Sequence, residues 1–530
     1  MSKSLYIINP ASVHPHYSSY EVYQALGLRP VIFTADQSTT TLAAMAPEDF
    51  HVALCDETVS PVNYETDADY ICITGRISQW ERMKAHADAF RSRGKTVIMG
   101  GPHVTLAPET ARPHCDILVQ GEIEEIYPEI FSDLRSDSWK EEYVGGRPDL
   151  SLAVIPKFEL YPNGHTFLGS LQTSRGCPFQ CEFCSVTQYN GRHQRHKPTP
   201  IVLEELDKLY DIGYRNVFIT DDNFSAHHEK ARDILSALTF WNDRRTKGRV
   251  SFVAQVSVDA AKDGDMLGLL ARAGVTDAFV GIETMNQESL KETKKLQNLN
   301  VDFKECVELF LDSGICVQGG LIGGFDSDRP DVFSLIFEFA SVLPIPYYNL
   351  DSLVALPGTP LHKRMERENR LLCESETSGL PWTTNFIPRQ MTHEQLREGM
   401  KWLCSNLYHP RRFEDRIRRF VDAYKPVVHT RNSEGEVQMD ACRERRYNRF
   451  RYNANKLISH ISELGDEESA MMTRLMKLAE QKPESAARIR SFVHDYAQTR
   501  HLYAYGDFYD ENLVEIPFDP EPHPEPGQTK

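Results

Sequence analysis

Cys177, Cys181 and Cys184 fall within SRGCPFQCEFCSV, residues 174–186, at C-x3-C-x2-C spacing and with no fourth cysteine nearby. Three thiolates make a metal site with one position left over. Zinc sites ordinarily complete a tetrahedron with a fourth Cys or His, commonly from a second CxxC or HxxxH pair. No second cysteine pair follows, although His193 and His196 stand near enough in sequence to complete a zinc site. Thiolates also hold iron–sulfur clusters, and a cubane with three protein ligands leaves one iron open to a substrate. The other cysteines, of eleven in all, are scattered, which suggests reduced thiols and a cluster or metal site, not a disulfide framework.

The elements that must position this loop can be read from the hydrophobic pattern. From about residue 168, six β-rich runs (LGSLQTSRG, NVFITDD, SFVAQVSV, DAFVGIE, CVQGGLIGG and NLDSLVAL) alternate with helical stretches. This βα repeat predicts a barrel or partial barrel with its chemistry at the carboxyl ends of the strands. The cysteine loop directly follows the first of these strands. Upstream, SLYIINP, HVALCDE, DYICITG, KTVIMGG and DILVQGE also alternate with helical stretches and predict a parallel sheet. Its strands end in Thr74 and Gly75, Gly100 and Gly101, and Gly121 and Glu122. In an open α/β sheet ligands sit beyond such ends, and glycine lets a ligand approach the backbone. The expected organisation is a Rossmann-like α/β domain over 1–140, a linker over 141–166 and a partial (β/α)6 barrel over 167–390. A helical region over 391–512 and a Pro-rich acidic tail over 513–530, expected to be disordered, complete it.

Composition removes whole classes of function. A net charge of −17 argues against a nucleic-acid-binding surface as the main function, and RRFEDRIRR at 411–419, broken by two acids, reads as a solvated helix face. No apolar run approaches the roughly 20 residues that span a bilayer. MSKSLYIINP is a poor signal peptide, so a cytoplasmic protein is expected.

The cysteine loop, with Phe183 between its second and third thiols, and the strands around it resemble the radical SAM enzymes. The resemblance implies a [4Fe-4S] cluster on Cys177, Cys181 and Cys184, with S-adenosylmethionine (SAM) chelated to the open iron and cleaved to a 5′-deoxyadenosyl radical. It implies SAM contacts from Thr220, Asp221 and Asp222, where TDD stands in place of the usual GGE, and from Gln255, Ser257 and Glu283. Gly319 and Gly320 of QGGLIGGFD correspond to a glycine-rich stretch near the adenine. CDETVS, ITGRISQ, MGGPHVTLAPE and VQGEIEEIYPEIF, with LVALPGTPLHKRM at 353–365, resemble the cobalamin-dependent members of that family. Hopanoid and bacteriochlorophyll-type methyltransferases are the most similar in layout. Cobalamin is then expected against Thr74, Gly75, Ser78, Gly100, Gly101, His103, Val104, Gly121 and Glu122, base-off, since no DxHxxG supplies a cobalt-bound histidine.

Such an enzyme abstracts hydrogen from an unactivated carbon and passes it the methyl of methylcobalamin. Its expected partners are a flavodoxin- or ferredoxin-type electron donor and a small, apolar or polycyclic substrate, with Tyr189, Trp382 and Phe386 as candidate walls of an apolar cleft. A non-methylating rearrangement, cyclisation or ring contraction on the same residues, a cobalamin or iron–sulfur sensor, and a structural zinc site are the competing readings. Replacing Cys177, Cys181 and Cys184 together by Ala should abolish both the brown chromophore and reductive SAM cleavage. Retained 5′-deoxyadenosine production would rule out the cluster.

Overall fold

The computed structural model describes residues 2–18, 21–372, 382–426 and 441–515, with only the backbone for 441–451 and 454. The predicted tail lies almost entirely outside the described residues. The first strands are β1 (Lys3–Asn9), β2 (Ile32–Thr34), β3 (Phe50–Asp56), β4 (Tyr70–Thr74), β5 (Thr96–Gly100), β6 (Ile117–Gln120) and β7 (Glu142–Val144). Next come β8 (Thr166–Leu171), the short β9 (Ser174–Arg175) and β10 (Arg195–His196), and β11 (Asn216–Ile219). The last are β12 (Ser251–Gln255), β13 (Val275–Glu283), β14 (Cys316–Gly323) and β15 (Tyr348–Ser352).

Two parallel sheets form, with strand orders β3-β1-β4-β5-β6-β7 and β15-β14-β13-β12-β11-β8-β2. The five upstream runs and the six downstream runs are all strands. Apolar clusters pack on both faces of the first sheet, whereas the second buries apolar side chains on its outer face and turns its inner face to the half-barrel. Ile7, Ile71 and Val97 in the first sheet and Val217, Phe252 and Ala278 in the second are fully buried or nearly so. Helices Thr199–Ile212 and Gly264–Ala273 end on Gly213 and Gly274, both left-handed, which reverses the chain into the next strand.

Two strands depart from the sequence reading. β7 lies inside the expected linker and pairs with β6 in parallel, extending the first sheet. β2 lies inside the expected first domain yet pairs with β8, Ile32 beside Thr166 and Thr34 beside Leu168. Each is only three residues long, and the partner of β2 is more than 130 positions away, so neither leaves a local periodic signal. The chain therefore crosses from the first sheet to the second and back before the first sheet is finished.

The half-barrel's remaining gap is filled by residues 16–18 and 21–23 and by the carboxyl-terminal helix Ala486–Gly506. The Tyr17 hydroxyl donates to the Leu350 carbonyl at 2.8 Å and accepts from the Leu350 amide at 3.0 Å, so a side chain pairs the outer edge of β15. Gln498 donates to the His16 carbonyl at 3.1 Å, and Arg488 grips Asp277 on β13 at 2.7 and 2.9 Å. Helices His393–Leu407 and Pro410–Ala423 pack behind β14 and β15, as the helical pattern predicts. Arg416 corrects the reading of 411–419 as a wholly solvated face. It is buried, donates to the Leu407 carbonyl at 2.6 Å and lies over the Tyr408 and Phe413 rings. Its long aliphatic stem is what allows burial beside a carbonyl sink.

Tyr17→Phe removes a buried hydroxyl and leaves the Leu350 amide and carbonyl without it, at a cost of about 1–2 kcal/mol. Urea titration followed by tryptophan fluorescence should show the transition shifted to lower denaturant, and an unchanged midpoint would contradict this closure of the half-barrel.

Candidate functional site

The carboxyl ends of both sheets open onto one cavity of about 1890 Å³. Sites for a single small molecule run to roughly 1,000 Å³ at most, so this space holds more than one. One arm is a slot between the face of the first sheet, at Leu5, Cys72 and Ile98, and the helices Gln37–Met45 and Tyr127–Arg135. The other arm fills the half-barrel, lined by alternate residues of its strands such as Phe218, Val253 and Phe279. Cys177, Cys181 and Cys184 border the cavity where the two arms meet.

The cysteine loop is fixed from several sides. Gly176, at φ +96°, turns the chain out of β9, and a Cβ there would stand 2.6 Å from the His193 carbonyl. The Cys177 amide donates to the Gly191 carbonyl at 3.2 Å, and the Glu182 amide to the Thr293 carbonyl at 2.8 Å. Burial pushes the Cys177 thiol up to about 11 and the Cys184 thiol to about 12. Thiols in such surroundings ionise only when a bound cation compensates them. Among the described residues no three His, Cys, Asp or Glu side chains gather tightly enough for a single ion. A cubane is met differently, since each thiolate binds a different iron.

Of the residues implied to touch SAM, Thr220, Asp222, Gln255, Ser257 and Glu283 line the cavity. Asp222 accepts from the Gly176 amide at 3.1 Å and from Asn190 Nδ2 at 2.9 Å, tying the end of β11 to the cysteine loop. Ser257 accepts from Asn223 Nδ2. Glu283 sits at φ +65°, a conformation rare outside glycine, and a register shift between β13 and β14 precedes it. Such bulges re-aim side chains. Glu283 Oε1 receives Lys295 Nζ at 2.6 Å. Burial opposes the Lys295 charge, but Glu283 and Cys181 outweigh it and hold its pKa above the usual lysine value.

Asp221, Gly319 and Gly320 do not line the cavity, which corrects their expected role. Asp221 is buried and accepts from the Thr173 amide, Thr173 Oγ1 and Ser174 Oγ, each at 2.6 Å, so both oxygens are used in joining β11 to the end of β8. A Cβ on Gly319 would meet the Tyr348 ring at 2.7 Å, and one on Gly320 the Phe279 ring at 3.2 Å. These glycines make room for aromatic packing.

On the first sheet, Thr74, Gly75, Ser78, Gly100, Gly101, Gly121 and Glu122 line the cavity, whereas His103 and Val104 do not. Gly101 has φ +94°, and a Cβ would stand 2.4 Å from Thr74 Oγ1, so the wall at this point must be bare backbone. The His103 ring stacks on Trp80 at 4.3 Å and its Nε2 meets Thr110 Oγ1 at 3.1 Å. Burial lowers its pKa to about 4, so the ring is neutral and turned into the helical layer behind the sheet. Of the aromatic residues considered for a cleft, Tyr189 lines the cavity, while Trp382 and Phe386 are core side chains.

The structure adds residues that the sequence did not mark. Arg175, two positions before Cys177, reaches Glu122 and Glu124 of the first unit at 2.6 Å each. Arg195 donates to Glu122 at 2.9 Å, and Gln297 Nε2 points to Cys181 Sγ at 3.7 Å. Their only signal is their nearness to the cysteine loop or, for Lys295 and Gln297, a KKLQ run just beyond β13.

Comparison with known proteins agrees with this geometry. The Radical SAM superfamily model matches residues 171–336, and a domain of unknown function matches 359–505. An uncharacterized methyltransferase of Synechocystis sp. is 33% identical, with 76% of each chain covered. The hopanoid C-2 methylase of Rhodopseudomonas palustris is 30% identical over 71% of this chain and 72% of its own. The chain belongs to the radical SAM superfamily, in the branch of these methyltransferases. In fold, this radical SAM chain resembles the radical SAM methyltransferase TsrM from Kitasatospora setae. That match has a TM-score of 0.55 and 16% identity, and covers 75% of this chain and 84% of that one.

Arg175→Met would leave Glu122 and Glu124 facing each other with reduced compensation in a buried place, a loss of about 3 kcal/mol. Iron and sulfide per chain after anaerobic reconstitution should fall, and Arg175→Lys should recover part of it. Full iron content in both variants would show that the ion cluster does not position the loop.

Proposed function

We propose that this radical SAM enzyme is a cobalamin-dependent C-methyltransferase that acts on an unactivated carbon of a small molecule. The carrying observation is the single cavity that reaches both the three cysteines and the bare carboxyl ends of the first sheet. When bound, a [4Fe-4S] cluster with SAM supplies the hydrogen-abstracting radical, and cobalamin supplies the methyl group.

This chain's residues fit those groups. Cys177, Cys181 and Cys184 would hold the cluster through three irons. Asp222, Thr220 and Gln255 offer acceptors and donors to the polar end of SAM at the strand ends, and Phe183, edge-on to Phe325 at 6.2 Å, borders an apolar cluster suited to its adenine. Glu283, held by Lys295, presents a fixed carboxylate to the same space. The glycine wall at Gly100 and Gly101 would admit the broad face of a corrin, and the apolar slot against Leu5, Cys72 and Ile98 would take another flat part of the cofactor. His103, the histidine nearest that wall in sequence, is turned away from the cavity and stacked on Trp80, so it would not reach a corrin held there. The helix Ala486–Gly506 and residues 16–18 and 21–23 cover the half-barrel and limit water at the reacting carbon.

A reduced flavodoxin or ferredoxin is the proposed electron donor, since the cluster needs a small low-potential protein. The cytoplasm is the proposed setting, consistent with free thiols at all nine cysteines whose surroundings are described.

Protein reconstituted with iron, sulfide and hydroxocobalamin should keep the corrin through gel filtration. With CD3-labelled SAM and extracts of cells lacking the gene, it should transfer one CD3 to a product and release both 5′-deoxyadenosine and S-adenosylhomocysteine. Substrate consumption without label would favour a non-methylating reaction.

A further inference from the structure

Strand β15 carries two polar side chains into the half-barrel that nothing in the fold uses. Asn349 pairs in register with Gly320, and Asp351 with Ile322; alternate residues share a face, so Asp351 stands on the same face as Asn349, which lines the cavity, one pleat beyond that lining. The intervening Tyr348, Leu350 and Ser352 are buried on the opposite face. Asn349 Oδ1 is buried with no hydrogen-bond partner. Among the described residues no hydrogen bond or ion pair is made by the side chain of Asp351, a half-buried residue. Buried polar atoms are rarely left without partners, so an orphaned amide beside an unused carboxyl calls for one.

The space in front of them is shaped. Gly281, Gly320 and Asn349 lie side by side across three strands, with the Glu283–Lys295 pair standing over Gly281 and the Phe279 ring over Gly320, so that these side chains and Gln318 border the approach to Asn349. Of the other charges lining the chamber, Glu283 is paired with Lys295 and Asp277 with Arg488, while Arg490 of the carboxyl-terminal helix also borders it. Burial first, and the nearby Glu283 charge second, push the Asp351 carboxyl up to about 7, so it is available both as donor and as acceptor.

We propose that Asn349 and Asp351 are specificity-determining residues that bind a hydrogen-bond-donating group, a hydroxyl or an amine, on an otherwise apolar ring substrate. This inference rests on the proposed function and narrows its substrate class: a bare hydrocarbon would leave Asn349 and Asp351 desolvated and unpaired. Discrimination of this kind exceeds what apolar contact alone provides, because the unpaired site penalises the wrong ligand.

The test uses enzyme reconstituted anaerobically with cluster and hydroxocobalamin. The probes are three rings of matched size, cyclohexanol, cyclohexylamine and methylcyclohexane, and their affinities are measured by saturation-transfer NMR. One satisfied hydrogen bond corresponds to a preference of roughly fivefold for the alcohol or the amine over the hydrocarbon. Asp351→Leu should bring that ratio near one. Asp351→Asn should retain the alcohol preference and lose any amine preference, which separates the two sources of the donor. Asn349→Leu gives an independent reading should Asp351→Leu fail to retain corrin. Equal affinity for all three rings in the unaltered enzyme, or a preference that survives both leucine variants, would overturn the assignment. Reductive SAM cleavage and corrin retention by the unaltered enzyme are scored separately, so their failure counts against the proposed function and a lost ratio against this inference alone.

Discussion

Two parallel sheets can share a ligand space only if their carboxyl ends are held face to face, and a buried ion cluster holds them. Arg175 bridges Glu122 and Glu124, and Arg195 joins Glu122. Burying four such groups is unfavourable unless each finds a partner, which makes the arrangement intolerant of other spacings. Because Arg175 lies on β9 and the cysteine loop begins two residues later, the distance from the first sheet to the thiolates is set by the same contacts. Everything else in the site inherits that distance.

The chain's path reinforces it. The segment between β1 and β3 leaves the first sheet, pairs an edge of the half-barrel through Tyr17, adds β2 to the opposite edge and returns. A rigid separation of the two units is thus prevented by the backbone itself. The carboxyl-terminal helix then locks this crossing by contacts to His16 and Asp277. The half-barrel is consequently enclosed over most of its length, as chemistry intolerant of stray hydrogen donors requires.

The cysteine loop, the eleven strands of the two βα series and the helical end were legible, because thiol spacing and hydrophobic periodicity are local properties. Strand-end positions such as Asp222 and Gly101 were legible for the same reason: ligands lie beyond the carboxyl ends of parallel strands. Which of two adjacent aspartates faces the cavity was not. Asp221 and Asp222 differ by one step along the chain, and a single step at a strand end exchanges the cavity for the interior. His103, on the short helix after β5, and Gly319, midway along β14, misled for the same reason: nearness to the site in sequence does not decide which way a residue faces.

The sequence by itself determined the pieces: three cysteines at C-x3-C-x2-C spacing set after a strand, and a second parallel sheet ending in glycines. Those depend on neighbours along the chain. Only the tertiary structure decided that the two sets of strand ends open onto one cavity, that Lys295 neutralises Glu283, and that Asn349 and Asp351 share the inner face of β15. Each of these joins residues from different strands or loops, and their approach is fixed by packing and charge burial, not by spacing in the chain.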